Sequence, residues 1–119
     1  MQYLALIYAE DGVSPSPGDD DFEEYMNGYY TATETYKNAG ILLGGEALQP
    51  TSTATSIRIR NGKTETMDGP FAETKERLGG YYLLDCKDLD QAIEMAALIP
   101  DAKYGTVEVR PIMEIPGKE

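Results

Sequence analysis

The stretch Met67-Asp68-Gly69-Pro70-Phe71-Ala72-Glu73-Thr74-Lys75-Glu76 interrupts an otherwise regular series of short strands near the middle of the chain. Asp-Gly followed by Pro is typical of a turn, because Asp and Gly tolerate turn conformations and Pro fixes φ. The charged residues after Phe71 make the stretch too polar for a core helix and too irregular for a strand. It predicts an ordered loop that carries a carboxylate, Asp68.

A β-hairpin is predicted immediately before this loop. Apolar and polar residues alternate from Thr55 to Arg60, and Asn61-Gly62 is the pair that favours a two-residue type I′ turn. The return strand runs from Lys63 to Met67. A two-residue loop fixes the register so that Arg58 faces Glu65 and Arg60 faces Lys63. After the loop, Leu78-Gly79-Gly80 leads into an apolar strand from Tyr81 to Cys86.

The amino-terminal half predicts a strand, a loop and a helix. Tyr3 to Tyr8 is apolar at odd and even positions, which is typical of a central strand covered on both faces. Residues 9–21 form an acidic loop. The helix that follows has an aromatic stripe at spacings of three, four and seven, and its residues are Phe22, Tyr25, Met26, Tyr29, Thr33 and Tyr36. Asp20 and Glu23 resemble a capping box, Gly40 ends the helix, and Gly28 indicates close packing.

The remaining elements complete an α+β pattern. Ile41 to Leu48 predicts a strand with a bulge or close backbone approach at Gly44-Gly45, and Asp88 caps a helix that Pro100 ends. A last strand contains Val107 and Val109. Without the inserted hairpin the order is βαββαβ, the ferredoxin-like pattern, in which two helices cover one face of an antiparallel sheet. Since the other face stays uncovered, we expect a homodimer formed through the sheets.

Size and charge limit the classes of function. The 119 residues fit one domain, residues 1–119, and the net charge is −11, from 21 acidic and 10 basic residues. Such a chain repels phosphate backbones and anionic lipids, so we expect no nucleic-acid or membrane partner. A lone cysteine, Cys86, permits no internal disulfide and is most simply a small buried side chain. Together with the lack of a signal sequence or apolar span, this predicts a cytoplasmic protein.

The chain contains no histidine. This excludes Ser-His and Cys-His triads and imidazole metal ligands, and it removes the commonest general base. We therefore predict no metal site and no cofactor, and any acid–base step must use a carboxylate or a tyrosine.

Several motifs together resemble the DGPF group of YCII-related proteins. They are Asp68-Gly69-Pro70-Phe71-Ala72-Glu73-Thr74-Lys75-Glu76, Leu78-Gly79-Gly80-Tyr81-Tyr82, Asp88-Leu89-Asp90 and Gly105-Thr106-Val107-Glu108-Val109-Arg110-Pro111. The resemblance covers nearly the whole chain. It implies a dimeric α/β-barrel, and relatives of this architecture include cofactor-free isomerases, small monooxygenases and dehalogenating enzymes. It also implies a bacterial setting. Some YCII relatives carry a His-Asp pair, which this chain lacks.

The predicted site lies around the central loop. Asp68 is the candidate general base and Tyr82 a candidate hydrogen-bond donor. Arg58 and Arg110 are candidates to bind an anionic group. The remaining candidates for ligand binding are Glu108, Gly69, Pro70 and Phe71. The structural alternatives are that Asp68 stabilises its turn by bonding backbone N–H groups, that Phe71 anchors the loop, and that Glu108 and Arg110 form a cross-strand ion pair.

Two functions of different class follow from this sequence. The first is a cofactor-independent enzyme or small-molecule-binding protein that uses a carboxylate as acid or base in a cavity between two sheets. The second is a non-catalytic interaction or regulatory module that acts through its dimer surface. The sequence does not decide whether the protein is an enzyme.

Overall fold

The computed structural model describes residues 1–117. Its helices and longer strands follow the predicted order. In chain order they are β1 (Gln2–Ala9), α1 (Phe22–Asn38), β2 (Leu42–Ala47), β3 (Thr55–Arg60), β4 (Lys63–Asp68), β5 (Arg77–Asp85), α2 (Leu89–Ala96) and β6 (Thr106–Pro111).

The main sheet has four strands in the order β2-β5-β1-β6, and all three pairings are antiparallel. Strands β3 and β4 form a separate two-stranded sheet. The predicted ferredoxin-like α+β fold with an inserted hairpin is therefore confirmed. β1 is a central strand, as its continuous apolar sequence predicts.

The two faces of the main sheet differ in burial. Tyr3, Ala5 and Ile7 of β1 are buried, and they contribute to the two core clusters that also contain residues of α1 and α2. Leu4 and Leu6 point to the opposite face, where they are only half-buried, because successive side chains of a strand alternate between faces. One face of the sheet is thus covered by helices and the other is open.

The hairpin projects from this layered body. Asn61 and Gly62 have φ values of 53° and 75°, as a type I′ turn requires, and the predicted pairings Arg58↔Glu65 and Arg60↔Lys63 are present. Nearly all hairpin residues are exposed on both faces. The radius of gyration is 16.4 Å, against about 13.5 Å for a compact chain of this length. The hairpin therefore forms an arm.

Local chemistry explains where the helices end. Gly40, with φ 71°, follows α1, and the N–H groups of Gly40 and Ile41 donate to the carbonyls of Lys37 and Tyr36, which is a Schellman motif. At the start of α2, the Asp88 carboxylate accepts a hydrogen bond of 2.9 Å from the N–H of Gln91, which confirms the predicted cap.

The predicted capping box of α1 is wrong. The residue at the cap position is Asp21, and its side chain makes no capping hydrogen bond. Each of the consecutive aspartates at 19–21 could serve as the cap of the helix, so the sequence does not specify which one does. Backbone hydrogen bonds fix the start of the helix: Phe22 N–H donates to the Asp19 carbonyl, and Tyr25 N–H donates to the Asp21 carbonyl. The acidic residues of the first turn still favour this end of the helix dipole.

Strand β5 begins at Arg77, earlier than the predicted start at Tyr81, and ends at Asp85, so that Cys86 follows it. The difference arises because Gly79-Gly80 lies inside the strand, where Gly80 pairs with both Ile7 of β1 and Ala47 of β2. Pairing on both sides outweighs the low strand propensity of glycine. Among residues 1–117, no helix is long and apolar enough to cross a membrane.

Candidate functional site

A cleft of about 690 Å³ lies between α1 and the β2-β5 edge of the sheet. Its floor contains Gly45 and Gly80. Both lie on the helix-facing side of the sheet, because Gly80 pairs with the buried Ile7 and Gly45 pairs with Tyr82, which itself pairs with the buried Ala5. A Cβ at Gly45 would lie 2.8 Å from a ring carbon of Tyr82, and one at Gly80 would lie 2.9 Å from the Glu46 carbonyl oxygen. These positions accept no side chain, and the space above them remains open under the helix.

One wall of the cleft contains Asp101, a buried acidic residue that is 5% exposed. Ser14 Oγ donates to its Oδ1 at 2.5 Å, and the Tyr25 hydroxyl donates to its Oδ2 at 2.6 Å. The Tyr29 hydroxyl also donates to Oδ2. We call Ser14, Tyr25, Tyr29 and Asp101 the Asp101 cluster. It joins the loop after β1, helix α1 and the turn after α2.

Packing of α1 against the turn at Pro100 brings these residues together. Tyr25 and Tyr29 are one helical turn apart on α1, and their rings meet edge to face at 5.4 Å. Asp101 follows Pro100, which begins a short 3₁₀ turn. A Cβ at Gly28 would lie 2.7 Å from Pro100 Cγ, so α1 approaches this turn closely at the glycine. The close packing predicted at Gly28 is confirmed, and it places Asp101 beside the tyrosines.

The tyrosines of the Asp101 cluster remain protonated over the ordinary pH range. Desolvation is the largest cause and the Asp101 carboxylate adds to it; together they raise the pKa of Tyr25 to about 12. The same causes raise the pKa of Tyr29 well above its ordinary value. Both hydroxyls are therefore neutral donors, and the cluster combines one carboxylate with three O–H groups.

A second polar pair lines the cleft. The Tyr82 hydroxyl and Thr33 Oγ1 are 2.7 Å apart, and either can donate. The Tyr82 ring packs edge to face on Tyr36 at a centroid distance of 5.1 Å. Tyr36 is fully buried, and its hydroxyl donates to the Met95 carbonyl, so Tyr82 rests on a fixed support. The cleft therefore offers hydroxyl groups from both the helix and the sheet.

Of the site residues predicted from the sequence, Tyr82 lines this cleft and the others lie elsewhere. Asp68 is the last residue of β4 and is exposed, and no hydrogen bond or ion pair reaches its carboxylate from the part of the chain described. Its turn is held through Gly69 instead, whose N–H donates to the Ala54 carbonyl and whose carbonyl accepts from Ser56 Oγ. Pro70 is half-buried, whereas Phe71 is 74% exposed and therefore does not anchor the loop.

The charged candidates form local ion pairs outside the cleft. Arg58 Nε lies 3.4 Å from Glu65 Oε1 on the hairpin arm. Arg110 Nε lies 3.0 Å from Glu108 Oε2. The two residues are two positions apart on one face of β6, so this ion pair forms within one strand and the predicted cross-strand pair is wrong. Both pairs are partly exposed, and such pairs contribute little to stability. The functional roles of Asp68, Tyr82 and these charged residues stay predictions.

The Asp101 cluster was not predicted from the sequence. Tyr25 and Tyr29 belong to the aromatic stripe that predicts α1, and no role was predicted for Asp101. One signal was available: a core stripe needs only apolar side chains, so repeated tyrosines require partners for their hydroxyls. The sequence does not reveal that the partner lies 72 to 76 positions away.

Two comparisons with known proteins were informative about the whole chain. An uncharacterized protein of Rhizobium meliloti (strain 1021) is 39% identical over 114 residues, covering 94% of this chain and 92% of the relative. The structure of 5-chloro-2-hydroxyhydroquinone dehydrochlorinase (TftG) from Burkholderia phenoliruptrix AC1100, in complex with 2,5-dihydroxybenzoquinone, superposes with a TM-score of 0.55. It is 10% identical and covers 100% of both chains, so the likeness shows the fold alone.

The model of one protein family matches almost the entire chain. It describes the YCII-related domain and matches residues 1–116. The resemblance first indicated by the motifs from Asp68 to Tyr82 is thereby confirmed, and this chain belongs to the YCII-related domain family.

Proposed function

We propose that the protein binds a small molecule in the cleft under α1 and that Asp101 exchanges a proton with it without a cofactor. The observation that carries this proposal is the position of a 5%-exposed carboxylate, with three hydroxyl donors, in the wall of a cleft of about 690 Å³. A cleft of this size suits a small organic ligand. Buried carboxylates in clefts are frequent acid–base groups.

The geometry supports a simple proton transfer. A bound molecule displaces Ser14 from Oδ1 and gives its proton to the Asp101 carboxylate, which becomes a neutral carboxylic acid. The negative charge then leaves Asp101, so the Tyr25 and Tyr29 hydroxyls are free to turn and donate to the deprotonated atom of the ligand. Return of the proton from Asp101 to another atom of the ligand would complete an isomerisation and restore the carboxylate.

The structural likeness to TftG supports the small-molecule proposal in one respect. TftG is a dehydrochlorinase of a small ring compound, 5-chloro-2-hydroxyhydroquinone, and its structure is a complex with 2,5-dihydroxybenzoquinone. A fold of this type therefore accommodates ligands of that size. Because the identity is 10%, the likeness transfers neither the substrate nor the catalytic residues to this chain.

Ligand-dependent thermal stabilisation tests the proposal. A screen of small ring compounds should contain molecules that raise the melting temperature of the wild type, since a ligand at a hundred times its Kd stabilises by about 2.7 kcal/mol. Asp101→Asn should lose or weaken the response, whereas Asp68→Asn should keep it. A response that disappears with Asp68→Asn and persists with Asp101→Asn would move the site back to the central loop.

A second function, an interaction or regulatory module, is supported by the exposed arm. Ile57 and Ile59 are 67% and 64% exposed on one face of the hairpin, and Leu4 and Leu6 are half-buried on the open face of the main sheet. Apolar patches of this kind are typical of protein interfaces. We propose a homodimer through these faces, in the cytoplasm. Light scattering should give twice the chain mass; a monomer that stays monomeric at high concentration would contradict it.

A further inference from the structure

The residues lining the cleft have charges of only one sign. The charged ones are Glu46 and Asp101, and no lysine or arginine among residues 1–117 lines it. Clefts lined by one sign of charge concentrate ions of the opposite sign. Glu46 pairs with Tyr81 and so directs its side chain to the open face of the sheet, which leaves Asp101 as the carboxylate that faces the cleft. An anionic ligand would meet a repulsive field from Asp101 and from a chain whose net charge is −11. The cleft therefore favours a ligand that is neutral or positively charged.

Among residues 1–117, Asp101 has no cationic partner. Its hydrogen bonds come from neutral hydroxyls, and none of the ion pairs among residues 1–117 includes it. Buried charges in proteins are ordinarily paired with an opposite charge or a metal, because burial of an unpaired ion is costly. Hydroxyl donors offset part of this cost. A ligand that carries a positive charge would provide the missing partner.

The aromatic residues of the cleft also suit a cation. Tyr25, Tyr29, Tyr30 and Tyr82 all line it. Tyrosine rings attract cations at their faces, and the attraction is stronger where the ammonium group is removed from water. The combination of tyrosine rings and a buried carboxylate is a recognition chemistry for amines, and it differs from the arginine-rich sites that bind carboxylates and phosphates.

We infer that the cleft binds a small amine in its protonated form, with an apolar or aromatic body and no negative charge, and that its ammonium group replaces Ser14 at Asp101. The inference rests on the proposed function, since it names the ligand class of the same cleft. The ammonium nitrogen donates a hydrogen bond to the Asp101 carboxylate and keeps its protons, because an alkylammonium group is a much weaker acid than a carboxylic acid. The ion pair therefore persists in the complex, and no covalent bond changes when the amine binds.

Three probes of one shape and different charge test the inference by calorimetry. They are benzylamine, which is cationic at neutral pH, benzyl alcohol, which is neutral, and benzoate, which is anionic. We expect benzylamine to bind about ten-fold more tightly than benzyl alcohol, and benzoate to give no measurable binding. The preference for benzylamine should weaken as salt is added, and it should disappear when the pH exceeds the pKa of the amine.

Variants locate the effect. Asp101→Asn should remove the preference for benzylamine and leave the binding of benzyl alcohol. Ser14→Ala should keep or tighten benzylamine binding, because it frees Oδ1 without changing the charge. Glu34→Gln is the matched control, since Glu34 is an exposed acidic residue of α1 outside the cleft. If Asp101→Asn fails to fold, the relative affinities of the wild type for the three probes and their salt dependence still test the inference.

The outcomes separate this inference from the proposed function. Equal affinities for benzylamine and benzyl alcohol, or tightest binding of benzoate, would overturn the amine inference while the small-molecule cleft stands. A preference for benzylamine that Glu34→Gln removes and Asp101→Asn keeps would assign it to the general surface charge and overturn the inference too. If none of the three probes binds and the wider screen of ring compounds is also negative, both the inference and the proposed function fail.

Discussion

Two aspartates of this chain, Asp68 and Asp101, occupy opposite environments. Asp68 belongs to the most distinctive motif of the sequence, yet it is exposed at the base of the hairpin arm, and no hydrogen bond to its carboxylate occurs within residues 1–117. Asp101 belongs to no distinctive motif, yet it is 5% exposed and accepts hydrogen bonds from three hydroxyl groups. A distinctive local motif and a concentration of polar contacts therefore lie in different places in this fold.

The reason for the difference is the range of the interactions involved. Asp68-Gly69-Pro70 is a turn, and a turn is specified by a few consecutive residues, so it leaves a clear signal in the sequence. The Asp101 cluster is specified by tertiary contacts, and its residues are spread from Ser14 to Asp101. Groups of this second kind contribute more to stability, because their polar atoms are removed from water.

The largest effect is expected from Asp101→Ala. The substitution removes the shared acceptor of three hydroxyls and leaves those of Tyr25 and Tyr29 without their partner in a largely buried place. We expect the free energy of unfolding to fall by about 3 kcal/mol, because three hydrogen bonds to a charged group are lost and two donors lose their partner. This lowers Tm by roughly 10 °C in a chain of this size, which differential scanning calorimetry measures. Asp68→Ala is the control, and an equal loss there would remove the contrast between the two aspartates.

Features that depend on local sequence could be predicted, whereas features that depend on tertiary contacts could not. The hairpin register, the glycine end of α1 at Gly40 and the cap at Asp88 were all predicted, since each depends on residues within a few positions of one another. The ferredoxin-like fold followed from the βαββαβ pattern. The cap of α1 and the start of β5 were wrong, because backbone turns and pairing with two neighbouring strands override local preference there.

The second-largest effect is expected from alkaline pH, which should lower the free energy of unfolding by ionising the buried tyrosines. The pKa of Tyr25 is about 12 in the folded chain against an ordinary value of 10.0, and the pKa values of Tyr29 and Tyr36 are raised as well. A raised pKa means that the protonated tyrosine stabilises the fold below pH 10, and that this stability is lost as the pH rises from 10 towards 12 and beyond.

Urea unfolding at a series of pH values tests this, with tyrosinate absorbance as a second signal. The free energy of unfolding should fall above pH 10 in the wild type and less steeply in a Tyr25→Phe variant, which lacks one of the titrating groups. Asp68→Asn should follow the wild-type curve. A Tyr25→Phe curve parallel to that of the wild type would mean that the cluster does not couple folding to tyrosine ionisation.

A smaller effect is expected from Tyr29→Phe, and α1 provides a matched control in the next residue. Tyr29 donates to Asp101, whereas Tyr30 is 65% exposed. Loss of one hydrogen bond to a carboxylate should destabilise Tyr29→Phe by about 1.5 kcal/mol, and Tyr30→Phe should stay within about 0.5 kcal/mol of the wild type. Chemical denaturation with unchanged m values would measure both. Equal losses would show that the hydroxyl of Tyr29 contributes no more than a surface group.

The smallest effect is expected from Asp68→Asn, and it is the sharpest test of the comparison. Asn-Gly suits the turn about as well as Asp-Gly, so the substitution removes a charge and leaves the backbone preference intact. The turn is held by Gly69 through Ala54 and Ser56, and these bonds do not involve the carboxylate. The melting temperature should therefore change by less than about 2 °C.

The two ways in which Asp68→Asn could depart from this expectation have different meanings. A fall of several degrees would show that the Asp68 carboxylate is bound in solution by groups beyond this single chain, as in a dimer that buries the exposed Phe71 beside it. A rise would mean that the charge is kept at a cost to stability, which is typical of a functional group, and the central loop would then compete with the cleft as the active region. Light scattering on both proteins separates these cases, because only the first predicts a shift towards monomer.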